Sequence, residues 1–306
     1  MSATLESFTV KLTGLISAPV VPFDANANLD VKRVPAYAAY LREHGVSGVF
    51  VNGSTGESLS LTVGERKANA EAWQATKGTL KHIVHVGANS IVEARELAAH
   101  AQSIGADAIG AMPPCFFRPG LEGVIAYCEA VASAASKLPF YYYHIPSMTG
   151  VSICVRDFLE QGSKRIPTLA GGKYTFEDIM DFQQCVELDG GRFDLLFGRD
   201  EMLIAGLAAG AQGAVGSTYN FMSRVYLQAI AAFQAGDMAT ARACQAKSQE
   251  LVRVLKESGN GIACCKGIMT LVGVDCGPCR IPLPQYDKAK MAWLKGRLDE
   301  IGFFGW

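Results

Sequence analysis

Several features that would fix a protein's class at a glance are missing from this chain. No apolar stretch approaches the roughly 18 residues that a membrane-crossing helix needs. Neither sign of charge dominates: 28 Lys and Arg stand against 29 Asp and Glu, for a net charge of −1. Without a basic surplus or a long run of one sign, a nucleic-acid partner and a polybasic membrane role are both disfavoured. The first residues lack the basic start and apolar core of a signal peptide, so the expected location is the cytoplasm. Histidine is scarce, with 5 in the chain, and His82 and His85 fall on opposite faces of an expected strand. The 9 cysteines are odd in number and scattered, which in a reducing compartment suits packed thiols better than a disulfide framework. Cys276 and Cys279 have zinc-pair spacing, but the adjacent Cys264 and Cys265 offer no second pair, so no metal is expected. No Gly-x-Gly-x-x-Gly turn follows the first apolar run, which leads into Pro19, Pro22 and Asp24 instead. A dinucleotide-binding sheet is therefore disfavoured.

What is present is a repeated alternation. With 306 residues and 49% hydrophobic content, the chain can bury a large core. Short apolar runs predict strands at Gly14 to Val21, Gly48 to Asn52, His82 to Gly87, Ala108 to Met112, Phe140 to Ile145, Thr168 to Gly172, Phe193 to Phe197 and Gly213 to Gly216. Amphipathic helices are expected between them. From Ile91 to Ile104, Ala94, Leu97, Ala98, Ala101 and Ile104 share one face. Thr62 and Glu65 have capping-box spacing before the stretch Arg66 to Thr76, and Gly78 and Gly105 stand where helices should stop. Strand and helix in such alternation fit an α/β fold, a closed (β/α)8 TIM barrel, better than an open sheet. The barrel is expected over residues 1–236. Helical patterns alone continue beyond it, at Met238 to Ser258, Ile262 to Val272 and Asp287 to Ile301. Residues 237–306 are thus expected to form a helical extension packed on the barrel, with a role in subunit contacts as the alternative.

A barrel of this kind places its chemistry at the C-terminal ends of the strands. Lys173 ends an uncharged run from Ile166 through Gly172, just before a helix-like stretch opening at Thr175. A lysine desolvated at a strand mouth has its amine pKa lowered and becomes a candidate Schiff-base nucleophile. One strand earlier, Tyr141 and Tyr143 share a face while Tyr142 and His144 take the other. Tyr143, nearest the strand end, is the phenol expected to reach Lys173 for proton transfer, with His144 as the competing base. After the second strand, the segment from Gly53 through Ser54, Thr55 and Gly56 to Ser58 joins glycines, hydroxyls and backbone amides in a turn suited to an anion. Gly198, Arg199, Asp200 and Glu201 follow the seventh strand, and Gly216, Ser217, Thr218, Tyr219 and Asn220 the eighth. Asp200 and Glu201 read either as first-turn acids of a helix starting at Met202 or as ligands for a polyhydroxylated substrate.

These motifs, in this order, resemble the N-acetylneuraminate lyase and dihydrodipicolinate synthase superfamily of pyruvate-dependent barrel aldolases, over Leu12 to Cys279. Phe140 to Gly150 and Gly216 to Asn220 look most like the sialic acid lyases. The resemblance implies a Schiff base between Lys173 and the C2 carbonyl of pyruvate or sialic acid, and proton transfer by Tyr143. It implies a carboxylate held by Ser54 and Thr55, and a sugar tail contacted by Thr175, Gly198, Asp200, Glu201, Gly216 and Ser217. It also implies a homotetramer with no cofactor and no metal. In the synthases an arginine follows the strand-five proline by two residues. Here Met148 stands there, after Pro146 and Ser147, so the second-carboxylate site of a synthase is missing. Phe116 takes a place where many relatives carry a tyrosine that reaches across the subunit interface, and it cannot relay a proton. A related 2-oxo acid aldolase acting on a shorter sugar acid is the nearest alternative. A non-catalytic binder built on the same barrel would be expected to have lost the amine or the phenol, and both are present.

Overall fold

A computed structural model describes residues 11–306. Eight strands, β1 (Gly14–Ser17), β2 (Gly48–Val51), β3 (Lys81–His85), β4 (Ala108–Ala111), β5 (Phe140–His144), β6 (Leu169–Tyr174), β7 (Asp194–Phe197) and β8 (Gly213–Gly216), pair in sequence order into a closed barrel. Every neighbouring pair is parallel, including the seam that joins β8 back to β1. The helices are α1 (Val34–Glu43), α2 (Val63–Thr76), α3 (Ile91–Ser103), α4 (Leu121–Ser133), α5 (Pro146–Thr149), α6 (Val155–Gly162), α7 (Ile179–Gly191), α8 (Leu203–Ala208) and α9 (Tyr219–Gln234), followed by α10 (Met238–Glu257), α11 (Gly261–Leu271) and α12 (Lys288–Glu300).

Local chemistry sets several of these boundaries. Thr62 and Glu65 form the expected capping box at the start of α2. Ser90, Asp178, Asp237, Asn260 and Asp287 each accept a backbone N–H from the first turn of α3, α7, α10, α11 and α12. Gly78 and Gly105 adopt positive φ just after α2 and α3, as helix stops do.

Alternation along the strands divides the core. Ile16, Phe50, Ile83, Ala108, Tyr141, Tyr143, Leu196 and Val215 fill the barrel. Leu15, Val49, Val51, Val84, Ile109, Phe140, Tyr142, Leu195 and Phe197 pack outward among the residues beneath the helices. The two histidines of β3 separate as expected. His82 turns outward, its Nδ1 2.8 Å from Gln74 Oε1 of α2, and His85 turns inward beside Phe50 and Tyr143.

The strands differ from the sequence expectation mostly by a residue or two at their ends; β1 stops four residues early, at Ser17. One difference changes the chemistry. Lys173 lies inside β6 rather than beyond it, and α7 begins at Ile179 rather than near Thr175. A bulge explains how an in-strand lysine faces the barrel interior. Phe140 pairs with Leu169, but Tyr141 pairs with Gly171, so Ala170 is an extra residue in β6. That residue flips the facing of everything after it: Leu169 points outward, and Lys173 pairs with the inward Tyr143. Gly171 is required there, because a side-chain carbon would collide with the Asp194 backbone carbonyl on β7.

Candidate active site

The C-terminal ends of the strands open into a cavity of about 210 Å³. Ser54, Thr55, Tyr143, Lys173, Thr175, Gly198, Asp200, Glu201, Gly216 and Ser217 all line it, so these ten residues expected from the sequence lie around one cavity, while His144 does not.

Lys173 is 4% exposed. Its Nζ lies 4.1 Å from the centre of the Tyr143 ring and 4.3 Å from that of Phe50. The amine is thus walled by aromatic carbon and open toward the cavity. Tyr143 Oη is 3.0 Å from Ser54 Oγ, which joins the phenol to the loop after β2. That loop turns sharply through Asn52 and Glu57, both at positive φ, and closes with hydrogen bonds from Gly56 and Ser58 N–H to the Gly53 carbonyl. Asn52 is anchored from behind: its amide donates to the Arg66 carbonyl and accepts from Asn69, each at 2.8 Å. Among the described residues, the backbone N–H groups of Ser54 and Thr55 donate to no other backbone carbonyl. Two amides without a backbone acceptor and two hydroxyls thus sit in a loop that lines the cavity, groups of the kind that bind a carboxylate.

Behind Tyr143 stands His85, edge-on at 5.8 Å between ring centres. Its Nε2 accepts the Met112 backbone N–H at 3.3 Å, and its Nδ1 lies 2.9 Å from the Asn52 carbonyl. Both partners fit the neutral ring with its proton on Nδ1. Burial, with the Arg66 guanidinium as a second cause, holds the His85 pKa well below the ordinary imidazole value. His85 is therefore a fixed wall for the phenol. His144 sits outside the barrel against Tyr142, Tyr174 and Phe176, with burial lowering its pKa to about 4. This position removes it as the competing base.

On the far side of the cavity, Asp200 and Glu201 do open a helical turn, as one of the two sequence readings has it, but the Asp200 carboxylate caps no N–H of that turn. A 3-10 turn spans Asp200–Met202 before α8 starts at Leu203. The Asp200 carboxylate instead accepts Thr218 N–H at 2.8 Å and Thr218 Oγ1–H at 2.6 Å. Burial pushes its pKa up to about 6 against the downward pull of those hydrogen bonds. It lies so close over Gly216 that any side-chain carbon there would strike it. Glu201 is paired with Arg199 at 3.7 Å, and Arg199 also pairs with Glu177. Arg199 therefore neutralises acids at the rim. Asn220, fully buried, ties the β8 loop to the end of β1: its amide donates to the Ala18 and Ser217 carbonyls at 2.7 Å each, and its oxygen accepts from Ser17 and Tyr37 at 2.5 Å each. Val252 and Leu255 of α10 complete the apolar part of the cavity wall.

Sequence reasoning did not assign Phe50 or His85 to the site, and it named Thr218 at the end of the eighth strand without giving it a contact. Period-two alternation along the expected strand from Gly48 to Asn52 could have placed Phe50 on one face, whereas the Thr218 contact needs the loops after β7 and β8 to be seen together. Among the described residues no three His, Cys, Asp or Glu side chains gather as a metal site would require.

Comparison with known proteins agrees with this geometry. The dihydrodipicolinate synthetase family matches residues 11–300. N-acetylneuraminate lyase of Mus musculus is 42% identical over 299 residues, covering 96% of this chain and 93% of that protein. The structure of Proteus mirabilis N-acetylneuraminate lyase superposes with a TM-score of 0.93 at 40% identity, covering 96% of this chain and 100% of the other. A Ruminococcus gnavus sialic acid aldolase, solved as a catalytic lysine mutant, superposes with a TM-score of 0.90 at 31% identity over 95% of each chain. The chain belongs to the dihydrodipicolinate synthetase family.

Proposed function

We propose that this protein is a Schiff-base aldolase that reversibly cleaves N-acetylneuraminate to N-acetylmannosamine and pyruvate. The observation that carries the reading is the buried Lys173 amine facing the Tyr143 ring in an otherwise closed barrel interior. Lys173 Nζ adds to the C2 carbonyl of the open-chain sugar acid, and loss of water gives a protonated imine. That imine withdraws electrons from the C3–C4 bond. As the C4 hydroxyl loses its proton, the bond breaks, C4 leaves as the aldehyde of N-acetylmannosamine, and the electron pair comes to rest in an enamine on Lys173. Tyr143 Oη relays the proton from the C4 hydroxyl to C3, so the phenol ends as it began. Water then hydrolyses the imine and frees pyruvate and the amine.

The substrate carboxylate is assigned to Ser54 and Thr55, whose loop lines the cavity. Thr175, Gly198, Asp200, Glu201, Gly216 and Ser217 are assigned to the hydroxylated tail, with Asp200 and Glu201 as hydroxyl acceptors. The covalent imine serves as the electron sink, so the reaction as written uses no separate cofactor. We further assign the protein to the cytoplasm as a homotetramer; no helix among the described residues is long and apolar enough to cross a membrane. Sedimentation of the purified protein tests the oligomer.

Relatives at about this identity named as N-acetylneuraminate lyases support the sialic acid substrate over a shorter sugar acid. Met148 is 61% exposed at the place where the synthases carry their arginine, which weighs against a second carboxylate in the substrate. Borohydride reduction in the presence of pyruvate should fix a pyruvyl adduct on Lys173. An adduct on another lysine, or none, refutes the mechanism. Side-by-side turnover of N-acetylneuraminate and 2-keto-3-deoxygluconate tests the substrate, and a preference for the second sugar acid refutes it.

A further inference from the structure

We infer that a buried charge clamp from α11 and the segment that follows it positions the anion loop, with Glu57, Lys266 and Arg280 as positioning residues for Ser54 and Thr55. The inference rests on the assignment of that loop to the substrate carboxylate.

Glu57 lies in the turn that presents the two hydroxyl residues: its N–H donates to the Ser54 carbonyl at 3.1 Å. Its backbone is left-handed, at φ 52°, a conformation that costs a residue with a side chain on the order of 1–2 kcal/mol. Both carboxylate oxygens are held by residues far along the chain. Oε1 is 2.7 Å from Lys266 Nζ of α11, and Oε2 accepts the Arg280 backbone N–H at 2.9 Å. The two side chains of the ion pair are 3% and 0% exposed. Lys266 also donates to the Pro278 carbonyl at 2.7 Å and lies 4.1 Å over the Phe23 ring. Arg280 secures the far end of the loop, donating to the Ser60 carbonyl at 2.7 Å and pairing with Glu65 at 2.7 Å.

Stability alone does not call for this arrangement. Desolvating two ions is so costly that a well-packed apolar pair at the same place is commonly as stable or more so. What the charged pair adds is direction: a carboxylate fixed from two sides admits one placement of the backbone that carries it. The loop that reads the carboxylate is thus held in shape by side chains outside the barrel strands.

The test uses the full chain and pyruvate as the probe, with borohydride trapping at Lys173 as the readout. The double variant Glu57→Gln, Lys266→Met removes both charges and leaves no lone buried ion. It should fold, trap pyruvate at nearly the wild-type limiting extent, and need about tenfold or more pyruvate for half-saturation, because the loop is misplaced while the amine is not. A folded double variant with the wild-type half-saturation overturns the clamp. If that variant does not fold, Arg280→Met decides the matter by the same readout: a rise supports the clamp, and an unchanged value overturns it. Absence of any Lys173 adduct in the wild type refutes the aldolase reading itself. An adduct in the wild type with matching titrations in the variants refutes the clamp alone.

Discussion

Tyr143 and Lys173 stand opposite each other across the β5–β6 ladder because Ala170 is one residue too many for its partner strand. Had the pairing of Phe140 with Leu169 continued without interruption, Lys173 would share the outer face with His144. The meeting of amine and phenol therefore depends on a local irregularity three residues upstream, which Gly171 permits by having no side chain.

Gly171→Ala is accordingly expected to be severe. The added carbon meets the backbone of β7 rather than a movable side chain, so the strands must part or the bulge must move. A loss on the order of 3–5 kcal/mol in chemical denaturation is expected. Any protein that still folds should trap little pyruvate at Lys173. A stable variant with normal trapping contradicts the role given to the bulge.

Tyr143→Phe keeps the aromatic wall beside Lys173 and removes only the hydroxyl that contacts Ser54. Imine formation with pyruvate should persist, while cleavage of N-acetylneuraminate falls by about 10²–10⁴-fold, the usual worth of a proton-transfer group. Single-turnover cleavage measured beside borohydride trapping separates the two steps. Equal loss of both shows that the phenol acts earlier than proposed.

Asp200 gives the pH dependence. Its folded-state pKa of about 6 lies above the value of about 3.9 for an unfolded aspartate. The folded chain therefore binds the extra proton between these limits, and stability falls as pH rises from about 4 through about 6. Asp200→Asn removes that slope, so its thermal stability relative to the wild type should improve from pH 4 to pH 7. In the wild type, kcat/KM for N-acetylneuraminate should fall as pH drops through about 6 and the hydroxyl acceptor becomes protonated. The variant should lack that limb, and a limb that survives assigns it to another group.

Asn220→Ala strands two hydroxyls, of Ser17 and Tyr37, and the Ala18 carbonyl at the seam between β1 and β8, while the Ser217 carbonyl keeps the backbone N–H at position 220. The expected cost is about 3 kcal/mol, since buried groups left without partners carry their full desolvation penalty. Urea unfolding measures it. A loss under about 0.5 kcal/mol, the size of an ordinary surface change, contradicts a structural role for this amide.

Much of this was legible in the residues themselves. Eight apolar runs separated by amphipathic stretches were enough for the barrel, and the parity of Tyr141 and Tyr143 placed both inside it. Gly171 and Gly172 read only as the end of an uncharged strand, and the local pattern could not show that an extra residue would turn Lys173 inward. Asp200 was ambiguous for a related reason. Its sequence neighbours suit a helix start, and only the return of β8 brings Thr218 to its carboxylate. The Glu57–Lys266 pair spans most of the chain, with nothing local in either residue to announce the other.

The closeness of Asp200 to Gly216 ties two apparently separate positions into one choice. Should descendants of this chain acquire a bulkier residue at the end of β8, the acid would have to shrink or swing away at the same time. Divergence in the shape of this part of the cavity should therefore proceed by paired replacements, one in the turn after β7 and one at the end of β8, with single changes at either position leaving a crowded or hollow intermediate.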